Sequence, residues 1–205
     1  KRKTIDMLLH DKIVKEKKSD DVNFSINLVG LDTPTLNIIA QSYFDFLANF
    51  SFKEDFIIDK TLLNFQLVGF IRLLFPNSKI IHCERNPNAN CLSIYKHLFD
   101  HEGPWCYNKK ELNEYYNLYL DLMTFWEKKF PGKIYNIKYE DLILNPDTEI
   151  KKLIDGLKIE WDANCLKFYE NKNPIKTLSV NQARKEIYSS SLSLHEKYKL
   201  SLKEF

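Results

Sequence analysis

At 205 residues the chain has the length of one domain, or of most of one with an appended element, and is long enough to bury a core. A hydrophobic fraction of 44%, an aromatic fraction of 14% and the mixture of both charge signs exclude disordered, collagen-like and coiled-coil classes. With 30 basic and 28 acidic residues the net charge is +2, which argues against a whole-surface grip on nucleic acid or anionic lipid and leaves open a local basic pocket for a small polyanion.

Taken in chain order, residues 1–20 are dense in Lys and Asp and are expected as a solvated helix or a mobile arm. Their layout, charged on both sides of a very short apolar patch, is unlike a secretory signal. Asp32-Thr33-Pro34 then opens an amphipathic helix expected over Thr35 to Phe50. FIIDK (56–60) reads as a short strand ending in the charged pair Asp59 and Lys60, and NFQLVGFIRLLFP (64–76) reads as a helix stopped by Pro76. Because Arg72 interrupts the most apolar stretch, no run approaches the roughly 20 residues needed to cross a bilayer.

SKIIHCE (78–84) is a near-continuous, β-branched apolar run of the kind found in buried parallel strands. Asn86-Pro87-Asn88 makes a turn, a helix is expected from Ala89 to Phe99, and HEGPWCYNKK (101–110), which carries Trp105, is expected to be a mobile substrate-facing loop. A long helix from about Glu111 to Phe130 places Leu112, Tyr115, Tyr119, Leu122, Met123 and Trp126 on one face, and Pro131-Gly132 ends it. KIYNIKY (133–139) is the next strand, followed by a helix over Asp147 to Leu157 with Asp147 as its cap and a short helix over Asn164 to Tyr169. Alternating strands and helices predict an α/β fold, a parallel sheet flanked by helices on both faces, within a single domain over 1–205.

The ligand crevice of such a sheet lies beyond the carboxyl ends of its strands. Three polar groups fall there: Asp59-Lys60, Glu84-Arg85 and Tyr139-Glu140-Asp141. Arg85 is one of only four arginines in a chain with 26 lysines, and its planar fork suits bidentate contact with a phosphate. Ser93, eight residues later on the following helix, could reach the same anion, although Arg85 could equally be a structural partner of Glu84 or Asp59. Cys83, Cys91, Cys106 and Cys165 form no CxxC and no metal-ligand spacing, nor do His97, His101 and His195, so reduced cysteines, a cytoplasmic protein and no metal are expected.

The block DKTLLNFQLVGFIRLLFPNSKIIHCERNPNANCLSIYKHLF (59–99) resembles the central block of the sulfotransferase superfamily, most closely its bacterial tetratricopeptide-associated branch and more distantly tyrosylprotein sulfotransferases. The later blocks KIYNIKYEDLILNP (133–146) and NPIKTLSVNQARKEIYSSS (173–191) agree in order and spacing. The resemblance implies a P-loop-containing nucleotide-hydrolase-like three-layer sandwich and transfer of a sulfuryl group from 3′-phosphoadenosine 5′-phosphosulfate to a hydroxyl or amine. It implies that Arg85 and Ser93 hold the 3′-phosphate, that Tyr139, Ser179 and Arg184 contact the nucleotide, and that Lys60 lies beside the transferred group. The acceptor would be a small molecule, a glycan or a peptide, with no nucleic acid, membrane span or metal. An upstream segment of the same polypeptide or a homo-oligomer are the further partners it suggests.

This chain departs from the family pattern in three places. The glycine-containing loop for the 5′-phosphosulfate, with its strand, has no counterpart, since no glycine precedes Gly30, and truncation is the simplest account. Leu62 stands where many members place a histidine base, and Leu194 and His195 stand where bacterial relatives show a basic residue and Trp. A non-catalytic module that binds a nucleotide or glycan is therefore the alternative reading. A nucleotide-kinase-like relative is a weaker one, because no G-x-x-x-x-G-K-[ST] occurs.

Overall fold

The structure, a computed structural model, describes residues 31–49, 55–97, 103–171, 184–190, 192, 193, 196 and 198. The expectations for residues 1–20, Ser179, Leu194 and His195 lie outside the described residues. Between Ser78 and Lys79 the chain divides into two compact units.

In the first unit, helix α1 spans Thr33–Ala48. Its start follows from the sequence: the Asp32 carboxylate accepts the Thr35 amide at 2.9 Å, the Thr35 side chain and then this amide hold its pKa below the ordinary value, and Pro34 occupies a position where a missing amide costs nothing. A 3-10 segment, Leu62–Leu67, leads into helix α2, Val68–Leu74. Ile39 of α1 packs against Phe70 and Leu74 of α2, with Leu36, Tyr43 and Phe75 around them, so the apolar stripes read from the sequence do meet.

FIID is not a strand. Residues 56–60 are irregular, and Phe56, Ile57 and Ile58 are 65%, 47% and 85% exposed. An apolar triplet gains strand geometry only from a partner that accepts its backbone hydrogen bonds, and no strand pairs with it among the described residues. What holds the segment is Asp59, which accepts from Tyr43 Oη at 2.8 Å, Thr61 Oγ1 at 3.3 Å and Asn64 Nδ2 at 3.4 Å.

The second unit is built on two parallel strands, β1 (Ile80–Glu84) and β2 (Ile134–Lys138), paired in register from Ile80 opposite Ile134 to Glu84 opposite Lys138. Parallel pairing needs a crossover, supplied by α3 (Pro87–Lys96), a 3-10 turn (Pro104–Tyr107) and α4 (Lys109–Lys129). Gly132, with φ of 67°, makes the left-handed turn that sends the chain back into β2, a conformation that would strain a side-chain-bearing residue. After β2 come α5 (Tyr139–Leu144), α6 (Pro146–Gly156) and a 3-10 segment, Ala163–Glu170. Asp147 lies inside the first turn of α6 rather than capping it: Asn145 is the cap residue and makes no side-chain bond.

Helices lie on both faces of this small sheet, as the alternation predicts. On one face α4 is tied to the strands: Tyr119 to His82, and Glu127 to Asn136. On the other, Gly156 of α6 sits so close to Tyr135 that an added methyl would lie 2.4 Å from the ring. The core beneath α3 and α4 consists of Cys91, Leu92, Leu112 and Tyr116. The β1 strand is less buried than its composition suggests, with Ile81 39% exposed and Cys83 exposed.

Candidate nucleotide-binding site

Register decides which side chains meet. Since Glu84 stands opposite Lys138, the next residue on each strand exit, Arg85 and Tyr139, are neighbours, and the Arg85 guanidinium carbon lies 4.8 Å from the centre of the Tyr139 ring. Both residues are half-buried, so the contact belongs in the middle of the range of about 0.5 to 2 kcal/mol for a cation over an aromatic face. The two exits are latched a second time by the backbone amide of Asn86, which donates to Glu140 Oε1 at 2.8 Å. Sequence reading noted Glu140 only as a strand-end group, and its backbone partner carries no residue-type signal that could have revealed the latch.

Asn86 also starts α3, its side chain accepting the Ala89 amide at 3.1 Å with Pro87 at the first helical position. Ser93 sits on the second turn of that helix and is half-buried, and its neighbours Cys91 and Leu92 anchor the helix in the core. Asn88 Oδ1, in the first turn, is buried with no hydrogen-bond partner among the described residues, an acceptor that sequence reading did not single out. Burial raises the Cys91 thiol to about 11, which makes it an inert packing group.

Tyr139 forms a wall between Arg85 and a cavity of about 230 Å³ lined by Tyr139, Ile143, Phe168, Lys185, Glu186, Ile187 and Tyr188. Three aromatic rings and two isoleucines, with the opposite charges of Lys185 and Glu186 beside them, are a lining that suits a flat ring system with polar edges. Arg184, half-buried, immediately precedes this lining segment. The residues that follow the arginine of the Q-x-R block thus line this cavity.

The structure therefore brings Arg85 and Tyr139 together, puts Ser93 on the helix that follows Arg85, and leads Arg184 into the segment lining the adjoining cavity. Lys60 belongs to the first unit. It is exposed, and no ion pair joins it to Asp59 among the described residues, so the purely structural pairing with that neighbour is absent.

The substrate-facing loop expected around Trp105 is instead a tethered 3-10 turn where it is described. Trp105 stacks on Tyr115 at 3.9 Å and 12°, and Cys106 is buried. Stacking and burial on α4 outweigh the turn-forming composition that suggested mobility. All four cysteines are free thiols, and no helix among the described residues is long and apolar enough to cross a membrane.

Comparison with known proteins gives the family. The model of a family described as the sulfotransferase family matches residues 28–163. An uncharacterized protein of Aquifex aeolicus (strain VF5) is 33% identical over 174 residues, covering 83% of this chain and 23% of that protein. The chain spans about a quarter of that relative's length.

Proposed function

Because the chain belongs to the sulfotransferase family, we propose that its second unit binds the nucleotide of 3′-phosphoadenosine 5′-phosphosulfate and that the whole protein transfers the sulfuryl group to a hydroxyl or amine acceptor. The observation that carries this reading is the placement of Arg85 over Tyr139 at the adjacent ends of two parallel strands, beside an aromatic cavity. A phosphate facing the guanidinium would accept a charge-assisted, bidentate pair of hydrogen bonds. The base would lie against the Tyr139, Phe168 and Tyr188 rings.

In the reaction, the acceptor oxygen or nitrogen attacks sulfur in line with the departing phosphate oxygen. The new bond to sulfur forms as the sulfur–oxygen bond of the donor breaks, the acceptor loses a proton, and adenosine 3′,5′-bisphosphate leaves. Negative charge grows on the bridging oxygen, and the exposed Lys60 ammonium is the group we assign to stabilise it. Arg85, Ser93, Tyr139, Ser179 and Arg184 hold the donor.

Calorimetric titration with adenosine 3′,5′-bisphosphate tests the assignment. Arg85→Ala should weaken binding by about 1.5 to 3 kcal/mol, the scale of a hydrogen bond to a charged group, and should equalise affinity with adenosine 5′-monophosphate, which lacks the 3′-phosphate. Unchanged affinity in that variant would remove Arg85 from the site. Nucleotide binding with no transfer to any acceptor, in a version of the protein that carries the 5′-phosphosulfate loop, would favour the non-catalytic module.

A further inference from the structure

We infer that His82, Glu84 and Glu127 form a binding site for a divalent transition-metal ion, best suited to Zn²⁺, clasping strand β1 to helix α4. One ligand atom from each side chain lies within 4.8 Å of those of the other two, and His82 Nδ1 is 3.7 Å from Glu84 Oε1. His82 and Glu84 point to the same face of β1 because they are two residues apart, and α4 brings Glu127 to that face. Two carboxylates held this close repel each other, more so with His82 only 13% and Glu84 39% exposed, and a cation between them removes the repulsion.

The hydrogen bonds around the cluster already have the pattern of a ligand shell. Asn136 links the groups an ion would link: its Oδ1 lies 2.9 Å from His82 Nδ1, and its Nδ2 donates to Glu127 Oε1 at 2.6 Å. The Asn136 side chain thus draws the imidazole and the carboxylate toward one point, where an ion would take the place of its amide. On the far side of the ring, His82 Nε2 is bonded to the Tyr119 hydroxyl. With metal on Nδ1 the ring proton moves to Nε2 and is donated to Tyr119 Oη, the outer partner that orients metal-bound histidines. One imidazole nitrogen and two carboxylate oxygens, completed by water, suit Zn²⁺ or Mn²⁺, and the nitrogen disfavours Mg²⁺ and Ca²⁺. The chain hides this set from spacing rules, because its members come from a strand and from the far end of a helix.

The site is independent of the nucleotide assignment, so its test uses the metal alone. The purified full chain is titrated with Zn²⁺ by calorimetry and with Co²⁺ by visible absorption. We expect one Zn²⁺ per chain, Co²⁺ bands of low-coordinate geometry and no response to Mg²⁺. Glu127→Gln, which removes the charge and keeps an acceptor oxygen for Asn136, should weaken Zn²⁺ binding by about tenfold or more, and His82→Gln should abolish it. No Zn²⁺ binding by the wild type, or affinity unchanged in both Glu127→Gln and Glu84→Gln, would reduce the cluster to a hydrogen-bond network.

Discussion

Tyr139 is predicted to act on the nucleotide partly through Arg85, and a double-mutant cycle separates that part. The guanidinium sits 4.8 Å from the ring centre with both residues half-buried, so their contact should be worth about 1 kcal/mol, between the lower figure for exposed pairs and the upper one for desolvated pairs. Tyr139→Leu removes the ring at similar bulk. In that background the arginine keeps its charge and loses the surface that fixes its fork. Arg85→Ala should then cost about 1 kcal/mol less affinity for adenosine 3′,5′-bisphosphate than it does in the wild type, a coupling of about fivefold. Affinities of the four proteins come from calorimetry, and urea midpoints of the same four show whether the coupling also stabilises the free protein. Costs that add to within about 0.3 kcal/mol in both measurements would refute the idea that the ring organises the arginine.

Gly156→Ala should lower stability by about 1 to 3 kcal/mol, because the new methyl would lie 2.4 and 2.8 Å from ring carbons of Tyr135; an unchanged urea midpoint would mean that α6 does not pack on β2 as described. Stability should also fall at alkaline pH. Burial, then the hydrogen bond and charge of Asp59, raise the Tyr43 phenol, and burial, then the Glu84 charge, raise Tyr119 to about 12. Groups with raised folded-state pKa contribute fully below the unfolded value of about 10 and lose that contribution as the pH rises through the folded one, so Tyr43→Phe should flatten the drop in urea midpoint between about pH 9 and about pH 11. Lys60→Ala should leave the melting temperature unchanged, since the side chain is exposed and makes no ion pair with Asp59 among the described residues, while turnover of a version that carries the 5′-phosphosulfate loop falls by about 10² to 10³. A lower melting temperature with parental turnover would assign Lys60 to structure.

What could be read from the sequence was what local chemistry determines. Asp32 and Pro34 fix the start of α1, Asn86 and Pro87 that of α3, and Pro131-Gly132 the turn into β2, and each of these elements stands within a few residues of its expected position. The failures share a cause. FIID has strand composition but no neighbour to pair with among the described residues, and Trp105 has loop-like flanks but the Tyr115 ring to stack on, so in both the outcome is decided by what the segment meets and not by its own composition. The same holds for the site. Arg85 and Tyr139 were legible as strand-end residues, whereas the Asn86 to Glu140 latch runs from a backbone amide that looks the same at every position.

The parallel register explains why so small a sheet can present a recognisable site. In a parallel pair, residues at matching heights exit on the same side, so aligning Ile80 with Ile134 commits Arg85 and Tyr139 to one end and leaves five paired positions to hold them there. A slip of one residue would do more than shift the exits. Because side chains alternate faces, it would turn Asn136 away from His82 and place Ile137 there, while Tyr135 would lose its place against Gly156. The hydrogen bonds on one face and the close helix contact on the other therefore select the single register that brings a cation over an aromatic ring at the strand ends. On this argument, Asn136→Ala should affect nucleotide affinity and stability together, because weakening the register loosens the Arg85 and Tyr139 pair without touching either residue.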